Sequence, residues 1–406
     1  MDETTIINVL QRWNCWKKGI DSGIKRFFYI RKIFPFLERK EVIVLKGTRR
    51  SGKSTIVKQL ILELIKKGVD RKQTLYLNLE DYNFANHLNT DLFEKVLNSY
   101  KKYTLNNKKI YFFIDEIQKI SEWEKWIRTK YDLNENIKFI ITGSSASLLS
   151  KELSTLLTGR NLSFHIFPLS YAEFCVFNKK GDIDEYLKFG GFPEVVLEKD
   201  VDKKPYLLNQ YFEDIVFKDI VDRYNIRNSK QLVELAKYII TTSGSKVSIN
   251  KLSKVFGIAK DTISTYISYM VDAYLLYEVT FFSYSAKIRH DVTKLPKFYV
   301  LDNGLINVAD IKFSSNQGQM YENAVLVNLV TKHNNVSYWS DSNSEVDFII
   351  DNKAINVTAT NEIKERESRG LNEFCKKNNK YSKLLITKSL NKKGMISLEK
   401  FLKRKN

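Results

Sequence analysis

Val42-Ile43-Val44-Leu45-Lys46-Gly47-Thr48-Arg49-Arg50-Ser51-Gly52-Lys53-Ser54-Thr55 is the stretch from which the fold can be read. Its first four residues are branched or leucine, as in a strand buried on both faces. Gly47 to Ser54 then fits G-x-x-x-x-G-K-[ST] in full. Beyond it Ile56, Leu60, Ile61, Leu64 and Ile65 recur with helical period until Gly68, so residues 54–67 read as a helix stopped by a glycine. Strand, glycine-rich loop and helix in that order make a phosphate-binding loop. The glycines let backbone N–H groups wrap a phosphate, and the helix N-terminus adds partial positive charge. Lys53 would reach the β- and γ-phosphates of ATP, the Ser54 hydroxyl would ligate Mg²⁺, and Thr55 continues toward the α-phosphate. Gly47, Thr48, Arg49, Arg50, Ser51, Gly52, Lys53, Ser54 and Thr55 are therefore the candidate nucleotide contacts.

Working outward, short apolar runs at 74–79, 110–114 and 137–142 alternate with helical patterns, which predicts βαβ units and a doubly wound α/β domain with a parallel sheet. The run Ile110-Tyr111-Phe112-Phe113-Ile114 ends in Asp115-Glu116. Behind a complete phosphate loop this acidic pair would divide the labour: Asp115 would sit in the outer coordination sphere of the Mg²⁺ and Glu116 would polarise the attacking water as general base, a plain acidic turn at the strand end being the alternative. Ile140-Ile141-Thr142-Gly143-Ser144-Ser145 ends another strand, where Thr142 or Ser144 is the candidate sensor of the γ-phosphate, a plain turn being the alternative. Arg160, in Thr158-Gly159-Arg160, is the candidate cation for transition-state charge, acting on its own nucleotide or, in a homo-oligomer, on a neighbour's; a surface arginine is the plain alternative.

Composition narrows the class. The chain has 406 residues with 66 Lys+Arg against 47 Asp+Glu, a formal net charge of +19, and 13% aromatic residues, too much core-forming area for a disordered basic tail. That length predicts two to four domains. Cys15, Cys175 and Cys375 are odd in number and far apart, which fits a reducing compartment better than a disulfide scaffold. No apolar run approaches ~18 residues, and Met1-Asp2-Glu3 lacks the basic start of a signal peptide, so a cytoplasmic protein without a membrane span is expected. The positive surplus suggests an anionic partner, such as nucleic acid, nucleotide or membrane surface, against plain lysine-rich solubility or compositional bias.

From Tyr206 the pattern turns helical. Residues 248–257 read as a short helix ended by Gly257, and a second helix starts near Lys260 with Ile263, Ile267, Met270 and Tyr274 on one face. A β-rich stretch, 275–282, follows. This predicts a helix-turn-helix with a wing. The second helix offers DNA only Lys260, Asp261, Thr262, Ser264 and Thr265, one base and one acid, with Lys246, Lys251 and Lys254 nearby for phosphates; docking of a protein partner is the alternative use. Tyr266, Tyr269 and Tyr274 read as core. Strands are expected again at 297–301, 345–350, 354–359 and 383–387.

Several signatures together resemble the bacterial and archaeal AAA+-type ATPases that carry a C-terminal nuclease-like domain of unknown function. They are the loop at Gly47–Thr55; Ile114-Asp115-Glu116-Ile117-Gln118 with Trp123-Glu124; Ile141-Thr142-Gly143-Ser144-Ser145; Leu157-Thr158-Gly159-Arg160; Pro168-Leu169-Ser170-Tyr171-Ala172-Glu173-Phe174; Gly190-Gly191-Phe192-Pro193-Glu194; and Glu345-Val346-Asp347-Phe348. The resemblance spans nearly the whole chain. It implies an ATPase core over 1–165, a helical lid or linker over 166–205, a winged helix over 206–290 and a fold similar to the PD-(D/E)xK nucleases over 291–406. Such a nuclease needs a helix acid, a strand aspartate and Glu-x-Lys on the next strand. Glu322 and Asp347 supply the first two, but Asn356 and Thr358 stand where Glu and Lys belong, so nuclease activity is expected to be absent. The expected function is a Mg²⁺-dependent ATPase whose nucleotide state rearranges the attached modules, with DNA a candidate partner; an ATP-gated regulatory or protein-binding switch with slow or no turnover and an ATP-dependent nuclease are the alternatives.

Overall fold

Side-chain alternation along the central strands decides how the first part of the chain is layered. In the computed structural model, which describes residues 1–104, 108–144, 159–285, 293–309, 317–363 and 365–404, strands β1 (Val42–Lys46), β2 (Thr74–Asn78), β3 (Ile110–Asp115), β4 (Ile137–Gly143) and β5 (Asn161–His165) form one sheet in the order β2-β3-β4-β1-β5, every pair parallel. Val42, Val44, Leu75, Leu77, Phe112, Ile114, Phe139 and Ile141 face one way and pack with helices α1 (Glu3–Trp13), α4 (Thr90–Thr104) and α5 (Trp123–Asp132). The intervening Ile43, Leu45, Tyr76, Tyr111, Phe113 and Ile140 face the other way, against α2 (Phe27–Ile33) and α3 (Lys53–Lys66). Burial on both faces is what makes these strands read as unbroken apolar runs. Each fully buried Leu, Ile or Phe contributes about 1.5–3 kcal/mol.

The expected parallel α/β core is thus present, with one strand more than the sequence announced. β5 pairs with β1 from Asn161 opposite Val42 to His165 opposite Lys46. Its polar Asn161, Ser163 and His165 hide it, since an edge strand buries only alternate residues.

The chain divides into two compact units: 1–48 with 52–166, and 167–406 together with Arg49–Ser51 of the loop. The second unit begins with helices Tyr171–Phe177, Ile183–Phe189, Pro193–Leu197 and Lys204–Asp214, the last continued by a π-helical turn, Ile215–Val221. Helices Ser229–Thr241, Ile249–Phe256 and Lys260–Asp272 follow; Gly257 takes a left-handed φ of 64° to end the second of these. Ile263, Tyr266, Ile267 and Met270 of the third are buried, and Tyr269 stacks on Tyr224 with ring centroids 3.6 Å apart. These tyrosines are core, as expected.

A seven-stranded sheet completes the unit in the order β12-β11-β10-β9-β8-β6-β7. Its members are β6 (Leu276–Phe281), β7 (Lys297–Val300), β8 (Ser337–Ser340), β9 (Glu345–Ile350), β10 (Lys353–Val357), β11 (Ser382–Thr387) and β12 (Met395–Ser397). β6 is antiparallel to β7 and parallel to β8; β8, β9 and β10 are antiparallel neighbours, and β10, β11 and β12 run parallel. The domain limit expected between 290 and 291 falls inside the β6–β7 hairpin, whose backbone hydrogen bonds bind its two sides into one ribbon. Helices Asn303–Ala309, Gln317–Lys332, Glu365–Lys377 and Leu398–Lys403 cover this sheet. No helix among the described residues is long and apolar enough to cross a membrane.

Candidate nucleotide-binding site

β1 delivers the chain to Gly47, and α3 carries it away from Lys53. A Cβ at Gly47 would fall 2.0 Å from the Ile166 carbonyl oxygen, so only glycine lets the loop leave the sheet beside the end of β5. Gly52 sits at φ 93° as the residue before α3, which leaves the first helical N–H groups without side-chain caps and free to meet an anion. The Lys53 side chain is only 5% exposed and its Nζ donates to the carbonyls of Gly47 (3.0 Å) and Thr48 (3.1 Å), so the ammonium lies over its own loop. The Thr48 hydroxyl is buried with no hydrogen-bond partner. A buried ammonium, an unpartnered hydroxyl and helix-start amides without a side-chain cap fit a polyphosphate. Ser54 and Thr55 lie half-buried in the first turn of α3.

Arg49 and Arg50 belong to the second unit. Arg49 makes a two-pronged ion pair with the buried Asp219, Nε to Oδ2 at 3.2 Å and Nη2 to Oδ1 at 2.8 Å. Arg50 lies 3.6 Å from Glu194 and over the Tyr211 ring. Ser51 is buried beside them in sequence.

The acidic pair stands at the end of β3. Asp115 is buried; its Oδ2 accepts from the Tyr76 hydroxyl at 2.7 Å and its Oδ1 from the Thr142 hydroxyl. Thr142 also accepts from the Glu116 backbone N–H at 3.0 Å. Glu116 itself takes a left-handed φ of 57°, a conformation costing on the order of 1–3 kcal/mol for a residue with a side chain and concentrated at functional positions. Burial raises the Glu116 carboxyl pKa, with Asp115 and Glu80 adding to the rise and Lys53 opposing it. Gln118 donates to Glu116 and, at 3.3 Å, to Ser144. Strands β3 and β4 thus bring Asp115, Glu116, Thr142 and Ser144 together, and Lys53 is close enough to act on Glu116 electrostatically.

Arg160 is elsewhere. Its carbonyl accepts from Val42 N–H at 2.8 Å, and its guanidinium pairs with Asp132 at 3.3 Å beside the Tyr131 ring. That is the N-terminal edge of the sheet. The loop leaves from the opposite edge, five residues of β1 away and so about 16 Å along the strand. Arg160 therefore cannot serve the nucleotide of its own chain, which corrects one of the two roles expected of it. Ser145, Leu157 and Thr158 of the motifs lie outside the described residues.

Two residues that touch this cluster, Tyr76 and Gln118, were given no role at the site by the sequence, Gln118 standing there only as part of a motif. Tyr76 is one of many aromatic residues in apolar strands, and nothing local sets it apart. Gln118 could have been found from its place two residues after Glu116.

In the second unit Asp347 accepts from Val357 N–H at 2.8 Å. Asn356 accepts from Asp347 N–H at 3.0 Å and donates to the carbonyls of Glu345 and Glu367, so its amide is spent on backbone. Thr358 is buried. Among the described residues no group of three or more His, Cys, Asp or Glu is arranged to hold a metal ion.

Comparison with known proteins agrees with this geometry. Residues 39–175 match the family described as AAA domain, 180–317 a domain of unknown function (DUF8612), and 317–400 another (DUF4143). An uncharacterized protein of Methanocaldococcus jannaschii is 34% identical over 336 residues, 76% of this chain and 72% of the relative; one of Haemophilus influenzae is 31% identical over 379 residues, 90% and 93%. The chain belongs to this family of AAA-domain proteins. Its first part is a nucleotide-binding ATPase domain. Among solved structures, AMPPCP-bound DnaA from Aquifex aeolicus is similar at 14% identity and TM-score 0.30, over 63% of this chain and 90% of that one. C. elegans PCH-2 is similar at 12% identity and TM-score 0.27, over 59% and 67%.

Proposed function

We propose that the chain is a Mg²⁺-dependent ATPase in which the amides of 47–53 and Lys53 bind the β- and γ-phosphates, Ser54 and Asp115 hold the metal, and Glu116 takes the proton of the attacking water. The observation that carries this reading is the Asp115–Thr142–Glu116 network: one hydroxyl fixes both the Asp115 carboxylate and the Glu116 backbone. Bound Mg²⁺ would neutralise charge building up on the phosphate oxygens. Burial raises the pKa of the Glu116 carboxyl, which makes it a stronger proton acceptor than an exposed carboxylate. Gln118 keeps that carboxyl oriented.

The test is a pair of variants. Glu116→Gln should bind ATP as before and lose about 10²–10⁴-fold in turnover; undiminished turnover removes Glu116 from the role. Lys53→Ala should lose ATP binding altogether. Phosphate release that rises linearly over many equivalents of enzyme separates an ATPase from an ATP-gated switch. Arg160 enters only from a neighbouring chain. Equal turnover of Arg160→Ala and the unaltered chain at all protein concentrations would exclude it.

In the second unit, residues 229–300 are read as a winged helix. The support is the order of three helices and the β6–β7 hairpin, with an isolated antiparallel bridge from Lys246 to Lys297 beside it. Lys251, Lys254 and Lys260 are exposed there, and DNA is the partner they would suit, with nucleotide turnover repositioning the second unit on it.

A further inference from the structure

Outside the nucleotide site, a group of charged side chains lies where β7, β9 and the helix Gln317–Lys332 meet, wholly within the second unit. Glu345 and Asp347 are two apart on β9 and therefore on one face of it. Glu322 comes from the helix. Into this acidic group projects Lys297, the first residue of β7, with its side chain only 3% exposed. Its Nζ lies 2.5 Å from Glu345 Oε1 and 3.4 Å from Glu322 Oε1. Lys246, bridged to Lys297 through the backbone, binds the other Glu345 oxygen at 2.8 Å, and the Tyr299 hydroxyl donates to Glu322 at 2.5 Å.

The electrostatics follow from the packing. Burial alone would lower the Lys297 pKa, yet Glu322, Asp347 and Glu345 together raise it, so the ammonium keeps its charge. Burial also raises Glu345, but Lys297 and Lys246 outweigh it and hold that carboxyl below its usual range. Asp347 is pushed well up by burial and by Glu322, with Lys297 opposing. An isolated buried charge is very costly, so these groups persist because they neutralise one another.

A divalent ion binds carboxylate oxygens at about 2.0–2.6 Å. The Lys297 nitrogen already stands 2.5 Å from Glu345 Oε1, so an ion ligated by that oxygen would have to displace the ammonium. The usual further ligand from the adjacent strand is lacking as well, since the Asn356 amide is committed to backbone.

From this geometry we infer that Lys297 is a built-in cation: its ammonium holds the place among Glu322, Glu345 and Asp347 that a metal ion would take. It thereby closes the group to metal-dependent phosphodiester chemistry and ties the β6–β7 hairpin to the C-terminal strands. This rests on the second unit alone and stands or falls independently of the ATPase reading.

Mn²⁺ is the probe, added to the nucleotide-free full-length chain. The unaltered protein should show the same thermal midpoint by circular dichroism with and without millimolar Mn²⁺. Lys297→Met, which keeps the bulk and removes the charge, should melt several degrees lower and regain most of that loss when Mn²⁺ is added. A Lys297→Met protein that melts like the original, or one that Mn²⁺ does not restore, overturns the inference. Should that variant not fold, counting bound Mn²⁺ by electron paramagnetic resonance on the unaltered chain and on Asp347→Asn decides: equal counts support the inference. A site lost in Asp347→Asn, or Mn²⁺-dependent DNA cleavage lost with it, overturns it.

Discussion

At Thr142 a single hydroxyl serves two neighbours, donating to the Asp115 carboxylate and accepting from the Glu116 N–H. Thr142→Val keeps the shape and removes both bonds, stranding a buried N–H at a cost of about 1–3 kcal/mol. ATP affinity should survive while turnover falls, each 1.4 kcal/mol lost from the transition state being about tenfold in rate. Steady-state kinetics with a parallel binding titration would show it; an equal loss in both would place Thr142 on the nucleotide instead. Asp302 carries a second residue-scale prediction. Burial raises its pKa to about 7, although Gly191 and Gly304 N–H groups donate to it at 2.6 and 2.8 Å and pull the other way. Because the folded pKa lies above the unfolded value of 3.8, the proton stabilises the fold, fully below pH ~4 and no longer above ~7. Unfolding free energy should therefore fall across that window by up to about 1.4 kcal/mol per pH unit relative to Asp302→Asn. Parallel curves for the two proteins would rule this out. Gly190 is fixed by the same carboxylate, since a Cβ there would lie 1.8 Å from Asp302 Oδ1. The placement of Lys53 at the start of α3 and of Asp115 and Glu116 at the end of β3 was legible because spacing after a strand carries it. The use of Lys297 was not, because its partners lie 25 to 50 residues further along the chain and one lysine among many has no local mark.

Strands β1 to β4 and helix α3 were legible within a residue or two, since burial on both faces leaves unbroken apolar runs and the helix shows its period. β5, β8 and β12 were not. β5 buries one face only, while β8 and β12 are four and three residues long, too short for a pattern to repeat. Yet β5 fixes the phosphate loop, because its end brings the Ile166 carbonyl against Gly47. Gly47→Ala should displace either that strand or the loop. The expected outcome is loss of ATP binding by titration with most helical signal retained, and unaltered affinity would show that the contact can yield.

At the scale of the whole molecule, nucleotide should act as a stabiliser. A ligand at 100 times its Kd adds about 2.7 kcal/mol, so ATP with Mg²⁺ should raise the thermal midpoint and Lys53→Ala should abolish the rise. The net charge of +19 is not concentrated in the exposed face of the helix Lys260–Asp272, where only Lys260 is basic. DNA affinity, measured by titration at several salt concentrations, should therefore fall steeply with salt and vary little with sequence; a strong preference for one sequence would point to base contacts instead.

β6 pairs on one side with β7 and on the other with β8, so a single sheet runs through both stretches matched to domains of unknown function, 180–317 and 317–400. A cut at residue 317 would bare the edge of β8 on one fragment and of β6 on the other, and naked edges recruit other strands. As hereditary units the two stretches are thus indivisible: a gene rearrangement that moved one without the other would hand its recipient a sticky half-sheet, which is reason enough for them to travel as a pair.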